Sequence, residues 1–475
     1  MTETTATCPS VPRGRWADLL SRDLLPRTLL VSFGIGLHAF NEIAIAPVLP
    51  VAVLDLHGVR FLPWAWSLFY AGVVTGGVTA TLLRQRFGAR RALVAAGLLH
   101  LAGMVLGVTA TVMAALIAGR LAQGLAAGWI VALCYGLIPS LFPARLIARV
   151  FSLEAAVWAV AALLGPMAGG LATELSGWRV GLAVAFPLLI TFLAVALMVA
   201  PRGAGEKSGD GQVALPGRVS PALCLAAVLI LSLPSALPAE PAAALAIPAG
   251  ILVCVLAFRF DARQKVRFLP PGLFGFRTVT GRGSWVLFLM SAAHSTTTVF
   301  LALLLKPAFG LSPVWTGLVV VTMALSWSAV AIPAGNAESE AARRRLLHAG
   351  PLFEVAGMLL IAGGFAFHAL PLIVLGQVAV GTAFALVWGL LNEAIVRDAA
   401  PEVRARVSAV LPTLATCGSI VGAGSAGWLA AVSGVSGGDA AAIAARAPWL
   451  WLFGALSAGL AFAAVRGIRP AHTEG

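Results

Sequence analysis

The strongest constraint in this chain is the recurrence of apolar runs of roughly 20 residues, the length a helix needs to cross the hydrocarbon of a bilayer. Such runs fall near 28–51, 62–83, 91–111, 114–138, 150–172 and 180–200, then near 219–237 and 241–258. Six more follow near 283–305, 314–334, 348–368, 371–393, 406–432 and 448–466. The seventh and eighth are the weakest, because Pro234, Pro238, Pro241 and Pro248 interrupt them. The pattern predicts an all-α integral membrane protein with about fourteen spans. Composition agrees: 60% of the 475 residues are apolar and 11% are charged, where a soluble domain carries about 25% charged residues. A globular fold of that polarity would have to hide nearly its whole chain, which surface-to-volume scaling forbids. The apolar content excludes disorder.

The net charge is +13, but the arginines fall in small groups between apolar runs rather than in one patch. They read as orientation signals, not as a nucleic-acid surface. With the N-terminus inside, cytoplasmic segments hold 27 of the 32 basic residues. The outer segments hold Arg60, Arg179, Lys306 and Arg446, and Arg120 sits within a span. Residues 1–27 carry Arg13, Arg15, Arg22 and Arg27 without an apolar core and cleavage site, so they read as a cytoplasmic tail. An even span count returns the tail at 467–475 to the cytoplasm. Cys134, Cys224, Cys254 and Cys417 lie in apolar stretches and Cys8 in the tail, so no disulfide framework is visible.

The spans group into two six-helix bundles, 28–200 and 283–466, flanking a central region, 201–282, of cytoplasmic linkers and two extra helices. Residues 201–218 form a Pro/Gly-rich linker. Residues 259–277 are basic and amphipathic enough to lie along the lipid surface. Two matched halves joined by an inside linker are the layout of a secondary transporter built from repeats, with its site at midplane between them.

Four passages carry a resemblance. They are LIAGRLAQGLAAG (116–128), ALLGPMAGG (162–170), SGWRV (176–180) and FLPPGLFGFRTVTG (268–281). They resemble, in turn, the fourth-helix motif, the fifth-helix antiporter motif, the loop into the sixth helix and the segment before the ninth helix of the major facilitator superfamily. Within it, the fourteen-span drug:proton antiporters are the most similar group, and the likeness covers essentially the whole chain. It implies a proton-coupled exporter of amphipathic or hydrophobic small molecules. It also implies a gating and helix-packing role for Gly165, Pro166, Gly169 and Gly170.

The chain departs from the family pattern in four places, one of them Lys306, which stands where relatives often have glutamine. In the loop after the second helix, LLRQRFGARR (82–91), Gln85 stands where the family has an acid, beside Gly88, Arg90 and Arg91. The pseudo-repeat GNAESEAARRR (335–345) lacks the second glycine. The first-helix motif appears as AFNEIAIAPVLP (39–50), with Asn41 in the acid's place and Glu42 after it.

A charge in hydrocarbon is costly, so intramembrane ionisable residues are functional candidates by default. Glu42 and His38 are four apart and share a helix face. They read as a titratable cavity wall or as a hydrogen bond that fixes packing. Arg120 shares a strip with Gln123, Gly124, Ala127 and Gly128, and either satisfies loose carbonyls or pairs with Glu42. The two lie at similar depth: Glu42 is eight residues before Pro50 and Arg120 six after Ala114, about 12 and 9 Å from the outer helix ends. In the superfamily's fold the first and fourth helices border the central cavity, so a proton-coupling group of Glu42, Arg120 and His38 is expected.

The remaining candidates have plainer alternatives. Glu154 pairs with Arg149 or Arg145, and Glu354 snorkels or pairs with Arg343–Arg345, and either acid takes the coupling role should Glu42 not carry it. Glu393 and Arg397 form a surface pair at a helix end. His294, with Ser291 and Thr298 on its face, is a substrate contact or a histidine hydrogen-bonded within the bundle. Asn41, Gln123, Tyr70, Trp158, His294 and Trp388 make the expected substrate cavity. Trp66, Phe69, Trp129 and Trp327 are further rings within spans. Trp64, Trp178, Trp315, Trp449 and Trp451 fall near span borders, where interfacial anchoring explains them.

No phosphate-binding loop, histidine pair at metal-ligand spacing or Ser-His-Asp arrangement is present, so neither an enzyme nor a cofactor or metal is expected. An ion gradient is the available energy source. The expected partners are a small-molecule substrate, protons and the bilayer, not nucleic acid, and the expected state is a monomer in the cell (inner) membrane. Two other readings remain on sequence. One is a transporter dedicated to a single metabolite or siderophore. The other is a transporter-like sensor or scaffold that moves nothing.

Overall fold

The computed structural model describes residues 16–201, 226, 230, 241–264, 272–335, 337, 339–399, 401–435 and 440–468. The N-terminal half contains α1 (Trp16–Leu19), α2 (Leu25–Ala44), α3 (Leu49–Asp55), α4 (Leu62–Phe87), α5 (Ala89–Val108), α6 (Met113–Leu141), α7 (Ala144–Ser176), α8 (Trp178–Ala183) and α9 (Phe186–Val199). After α10 (Pro241–Ala262), the C-terminal half contains α11 (Val279–Phe309), α12 (Pro313–Gly335), α13 (Glu340–Ala366), α14 (Leu370–Asp398), α15 (Pro401–Ser433), α16 (Ala440–Arg446) and α17 (Pro448–Val465).

Among the described residues, 11 helical stretches are long and apolar enough to cross a membrane, or 12 when α2 and α3 count as one span. These twelve are the spans that the sequence placed in the two bundles. The eighth apolar run forms α10, and the seventh, 219–237, lies outside the described residues apart from two isolated positions. The first span is not the single helix expected over 28–51. It breaks after Ala44 and resumes at Leu49 with a bend of 56°. Pro47 and Pro50 explain the break, since neither has an N–H to continue the ladder.

Local chemistry sets the ends of the elements. Pro26, Pro50, Pro63, Pro187, Pro371 and Pro448 stand in the first turns of their helices, where a missing N–H costs nothing. The Thr278 hydroxyl accepts from Gly281 N at 3.0 Å and caps α11, and Ser339 accepts from Ala342 N at 3.1 Å and caps α13. Gly88 turns the chain between α4 and α5 at φ 79°, a conformation that disfavours side chains.

Lipid tails are as apolar as leucine, so close packing and hydrogen bonds hold such bundles. Exposed Leu98, Val105, Met198, Ile332 and Leu456 therefore face the solvent that suits them. Inside the N-terminal half, α4 and α6 touch backbone to backbone. A Cβ on Gly124 would strike the Phe69 carbonyl, and one on Gly76 the Leu125 carbonyl. The two halves meet through α7 with α12 and through α4 with α15. The first contact lies at the arginine-poor end, where Gly170 rests on Pro313 and Gly317 on Pro166.

Two tryptophans expected as interfacial anchors are structural instead. Trp451 is fully buried, stacks on Phe365 at 4.7 Å and donates to Thr297 at 3.2 Å. Trp178 donates to Asp55 at 2.9 Å, and Arg179 lies 3.6 Å from the same carboxylate. Together they tie the tip of α3 to α8.

Candidate functional site

The chemistry of the N-terminal half gathers where α2, α4, α6 and α7 meet. Helix periodicity puts His38 over Glu42 on α2, with 3.3 Å between Nε2 and Oε2. From α4, the Tyr70 hydroxyl donates to Glu42 Oε1 at 3.0 Å. The His38 ring lies parallel to Phe69 with centroids 6.3 Å apart and meets Trp158 of α7 edge-on at 5.5 Å. Tyr70 in turn stacks on Trp66. It also packs against the small apolar cluster that Ala71 forms with Ile420 of α15, so the ring that holds Glu42 sits where the two halves meet.

Arg120 does not pair with Glu42. Its Nη1 donates to Gln123 at 3.1 Å, its Nε donates to the Ala65 carbonyl at 3.4 Å, and its guanidinium carbon lies 3.9 Å from the centre of the Phe69 ring. Nη2 is buried without a partner among the described residues. The glycine contacts bring α4 against α6 and place Phe69 over the arginine. Arg120 therefore takes the first of its two readings, satisfying a loose carbonyl, and lies over an aromatic face as well.

The other expected residues divide. Gln123 joins Arg120. Asn41 is buried with its amide nitrogen unpartnered. His294 of α11 meets Phe384 edge-on at 5.3 Å, Phe384 stacks on Trp327 at 5.4 Å, and Trp327 lies 6.1 Å from Trp388. His294 and Trp388 thus belong to one aromatic cluster of the C-terminal half, apart from the α2 group.

Gly165 and Gly169 lie against the Ala44 backbone at the break of the first span, and a Cβ on Gly169 would strike the Ala44 carbonyl. Pro166 and Gly170 on the other side of α7 meet Gly317 and Pro313. The expected loop motif is the turn at Gly88 between two helix ends: Gln85, on the last turn of α4, and Arg91, on the first turn of α5, are exposed, Arg90 is half-buried, and Arg84 of α4 donates to the Gly136 carbonyl at 3.3 Å.

Two pairings read from the sequence differ in the structure, and a third, Glu393 with Arg397, falls outside the described residues. Glu154 takes no arginine: its Oε1 accepts from the Ser32 hydroxyl at 2.9 Å, while Arg149 lies over Trp16. Glu354 is fully buried with neither carboxyl oxygen partnered, too deep on α13 to snorkel. Glu393 accepts from Arg343 across the α13–α14 contact, and the side chain of Arg397 lies outside the described set.

One residue escaped the sequence reading. His100 of α5 is fully buried, with both ring nitrogens unpartnered. It stands one turn before Gly103, which rests on the backbone of Gly119 and Gln123. The signal was a histidine in the middle of an apolar span, as at His38.

Comparison with known proteins agrees with this architecture. A family model described as Major Facilitator Superfamily matches residues 31–335. A Mycobacterium tuberculosis protein named "Probable multidrug-efflux transporter" is 31% identical over 452 residues, 90% of this chain and 92% of that one. The cephamycin export protein of Amycolatopsis lactamdurans is 34% identical over 184 residues, 36% of each chain. Among solved structures, a D-xylose-proton symporter superposes with a TM-score of 0.66 at 15% identity, covering 92% of this chain and 97% of that one. An auto inhibited POT family peptide transporter gives 0.66 at 15%, covering 94% and 98%. With the family model spanning most of the chain and a relative matched nearly end to end, this protein is a multi-span secondary transporter and belongs to the Major Facilitator Superfamily.

Proposed function

We propose that the protein is a proton-coupled exporter of amphipathic or hydrophobic small molecules. It works as a monomer in the cell (inner) membrane with both termini in the cytoplasm. The observation that carries the coupling is the company Glu42 keeps. Its carboxylate is held by a neutral hydroxyl and an imidazole, with no guanidinium or ammonium in ion-pair contact among the described residues. A proton arriving at Glu42 displaces no salt bridge. It changes only which partner donates, because His38 and a carboxyl group both give and take hydrogen bonds.

In this reading a cationic or polar substrate group competes with the proton for Glu42, and antiport is that competition. The aromatic cluster of His294, Phe384, Trp327 and Trp388 supplies apolar area for the rest of the substrate. Gly165 and Gly169 lie against the main chain one turn or less from Glu42, and Pro166 and Gly170 carry the other side of α7 onto the second half. A local change at Glu42 thereby reaches the joint between halves. The printed name of the mycobacterial relative supports export of many compounds. That of the Amycolatopsis relative supports the second reading, a transporter dedicated to one natural product.

The test is transport by purified protein in liposomes, with ethidium as the probe and an imposed pH gradient. Wild type accumulates ethidium against its gradient, and Glu42→Gln loses that response while still binding the dye. Export by Glu42→Gln equal to wild type across a pH series sinks the assignment.

A further inference from the structure

We propose that Glu154 is a second proton-binding site of the N-terminal half, separate from Glu42 and facing the arginine-rich end; the inference rests on the proton-coupled reading above. Glu154 is 1% exposed. Its Oε1 accepts from Ser32 of α2 at 2.9 Å, and its Oε2 is buried without a partner. It lies ten residues into α7, about 15 Å from that helix's first residue.

Among the described residues, no cation pairs with this carboxyl. From α2 comes Ser32, and from α6 come Cys134 and Tyr135, both near enough to interact with the carboxylate electrostatically. Arg27, at the start of α2, donates to the Leu141 carbonyl at 2.9 Å. From α1 come Asp18 and Trp16, the latter over Arg149, which is more than one turn away from Glu154. Helix α12, packed on the far part of α7, has no titratable side chain between Pro313 and Gly335. Arg179 of α8 is engaged with Asp55 and the Ala110 carbonyl at the opposite end. A buried carboxylate with one hydroxyl for company is costly, so exchange of its proton waits until water or a cation reaches Oε2. Serine suits both states, since its hydroxyl donates to a carboxylate and accepts from a carboxylic acid.

The two acids are held apart. Ser32 and Glu42 are ten residues apart on α2, about 15 Å. Between their levels stands the edge contact of His38 with Trp158, and Trp158 is one turn beyond Glu154. An indole N–H donates but does not accept, so Trp158 is a partition and not a relay. Each carboxyl therefore exchanges with its own side: Glu42 beside the joint of the halves, Glu154 toward the linker end. Each takes one proton from water at a carboxylate oxygen and returns it there.

The deciding experiment is pH-difference infrared spectroscopy of the full-length protein in lipid, read at the C=O stretch of the protonated carboxyl. Glu154→Gln is expected to delete one titrating component, and Glu42→Gln to leave that component in place. Ser32→Ala is expected to move it by about half a pH unit or more, since a hydrogen bond to one protonation state is lost. In liposomes, ethidium export by Glu154→Gln stays responsive to the pH gradient, with protons moved per ethidium falling to about half when one of two steps is removed. A carboxyl spectrum that Glu154→Gln leaves unchanged means a group that stays in one protonation state at every pH and overturns the proposal. If that variant does not fold, Ser32→Ala decides alone, and titration identical to wild type overturns it equally. Loss or retention of pH-driven export in Glu42→Gln bears on the earlier reading only, so the two failures are distinguishable.

Discussion

The Tyr70 hydroxyl donates to Glu42 across 3.0 Å while the Tyr70 ring packs against the cluster of Ala71 with Ile420 of the opposite half. One side chain thus feels both the charge state of the acid and the fit of the two halves. A hydrogen bond to a charged group is worth about 1.5–3 kcal/mol, enough to shift a conformational equilibrium by one order of magnitude or more.

Tyr70→Phe keeps the ring and deletes the bond. Ethidium export driven by a pH gradient is expected to fall about tenfold, with dye binding to the detergent-solubilised protein within about twofold of wild type. Tyr70→Leu, which also alters the ring at the meeting of the halves, is expected to lower thermal stability as well.

Arg120 lies over Phe69 while donating to Gln123 and Ala65. Lysine has no planar fork to do both. Arg120→Lys is therefore expected to lower the melting temperature of the purified protein nearly as much as Arg120→Ala. Double-mutant cycles should give Arg120 with Gln123 a coupling energy of about 1 kcal/mol or more, larger than that of Arg120 with Glu42. A larger coupling to Glu42 would contradict the geometry.

Gly169→Ala sets a methyl group against the Ala44 carbonyl, and Gly76→Ala sets one against Leu125. Overpacking of this kind costs about 1–3 kcal/mol, read as a lower midpoint of thermal unfolding. Gly77 has nothing within 4 Å of its missing Cβ. Gly77→Ala is expected to unfold with wild type, which makes it the control for glycine replacement in the same helix.

Topology is tested with fused reporters. The arginine distribution expects a reporter after Gly211 or at Gly475 to remain cytoplasmic and one at Gly437 to be exported. An exported C-terminus would require an odd number of spans.

The spans of the two bundles were legible because hydrocarbon demands length and apolarity, and both are written residue by residue. Helix spacing also set His38 beside Glu42 and Gln123 beside Arg120, but not the partners from other helices, Tyr70 for Glu42 and Phe69 with Ala65 for Arg120. Which residue Arg120 meets depends on how closely α4 approaches α6, and that is set by Gly72, Gly76, Gly124 and Gly128 acting together across two helices. The break after Ala44 was foreshadowed by Pro47 and Pro50, but proline inside α6, α7 and α11 leaves those helices continuous. Proline alone therefore does not say where a span will part. Glu354 shows the same limit: counting turns put it inside α13, but only the packing shows that no arginine reaches it.

The joint around Ala44, Gly169, Gly170 and Pro313 is made of main chain, whereas the C-terminal cluster of Phe384, Trp327 and Trp388 is made of side chains. Main-chain contacts have no rotamers with which to absorb a substitution, and rings do. A chain divided this way tolerates exchange of rings in the second half far better than any replacement at the joint, where an added methyl meets a carbonyl.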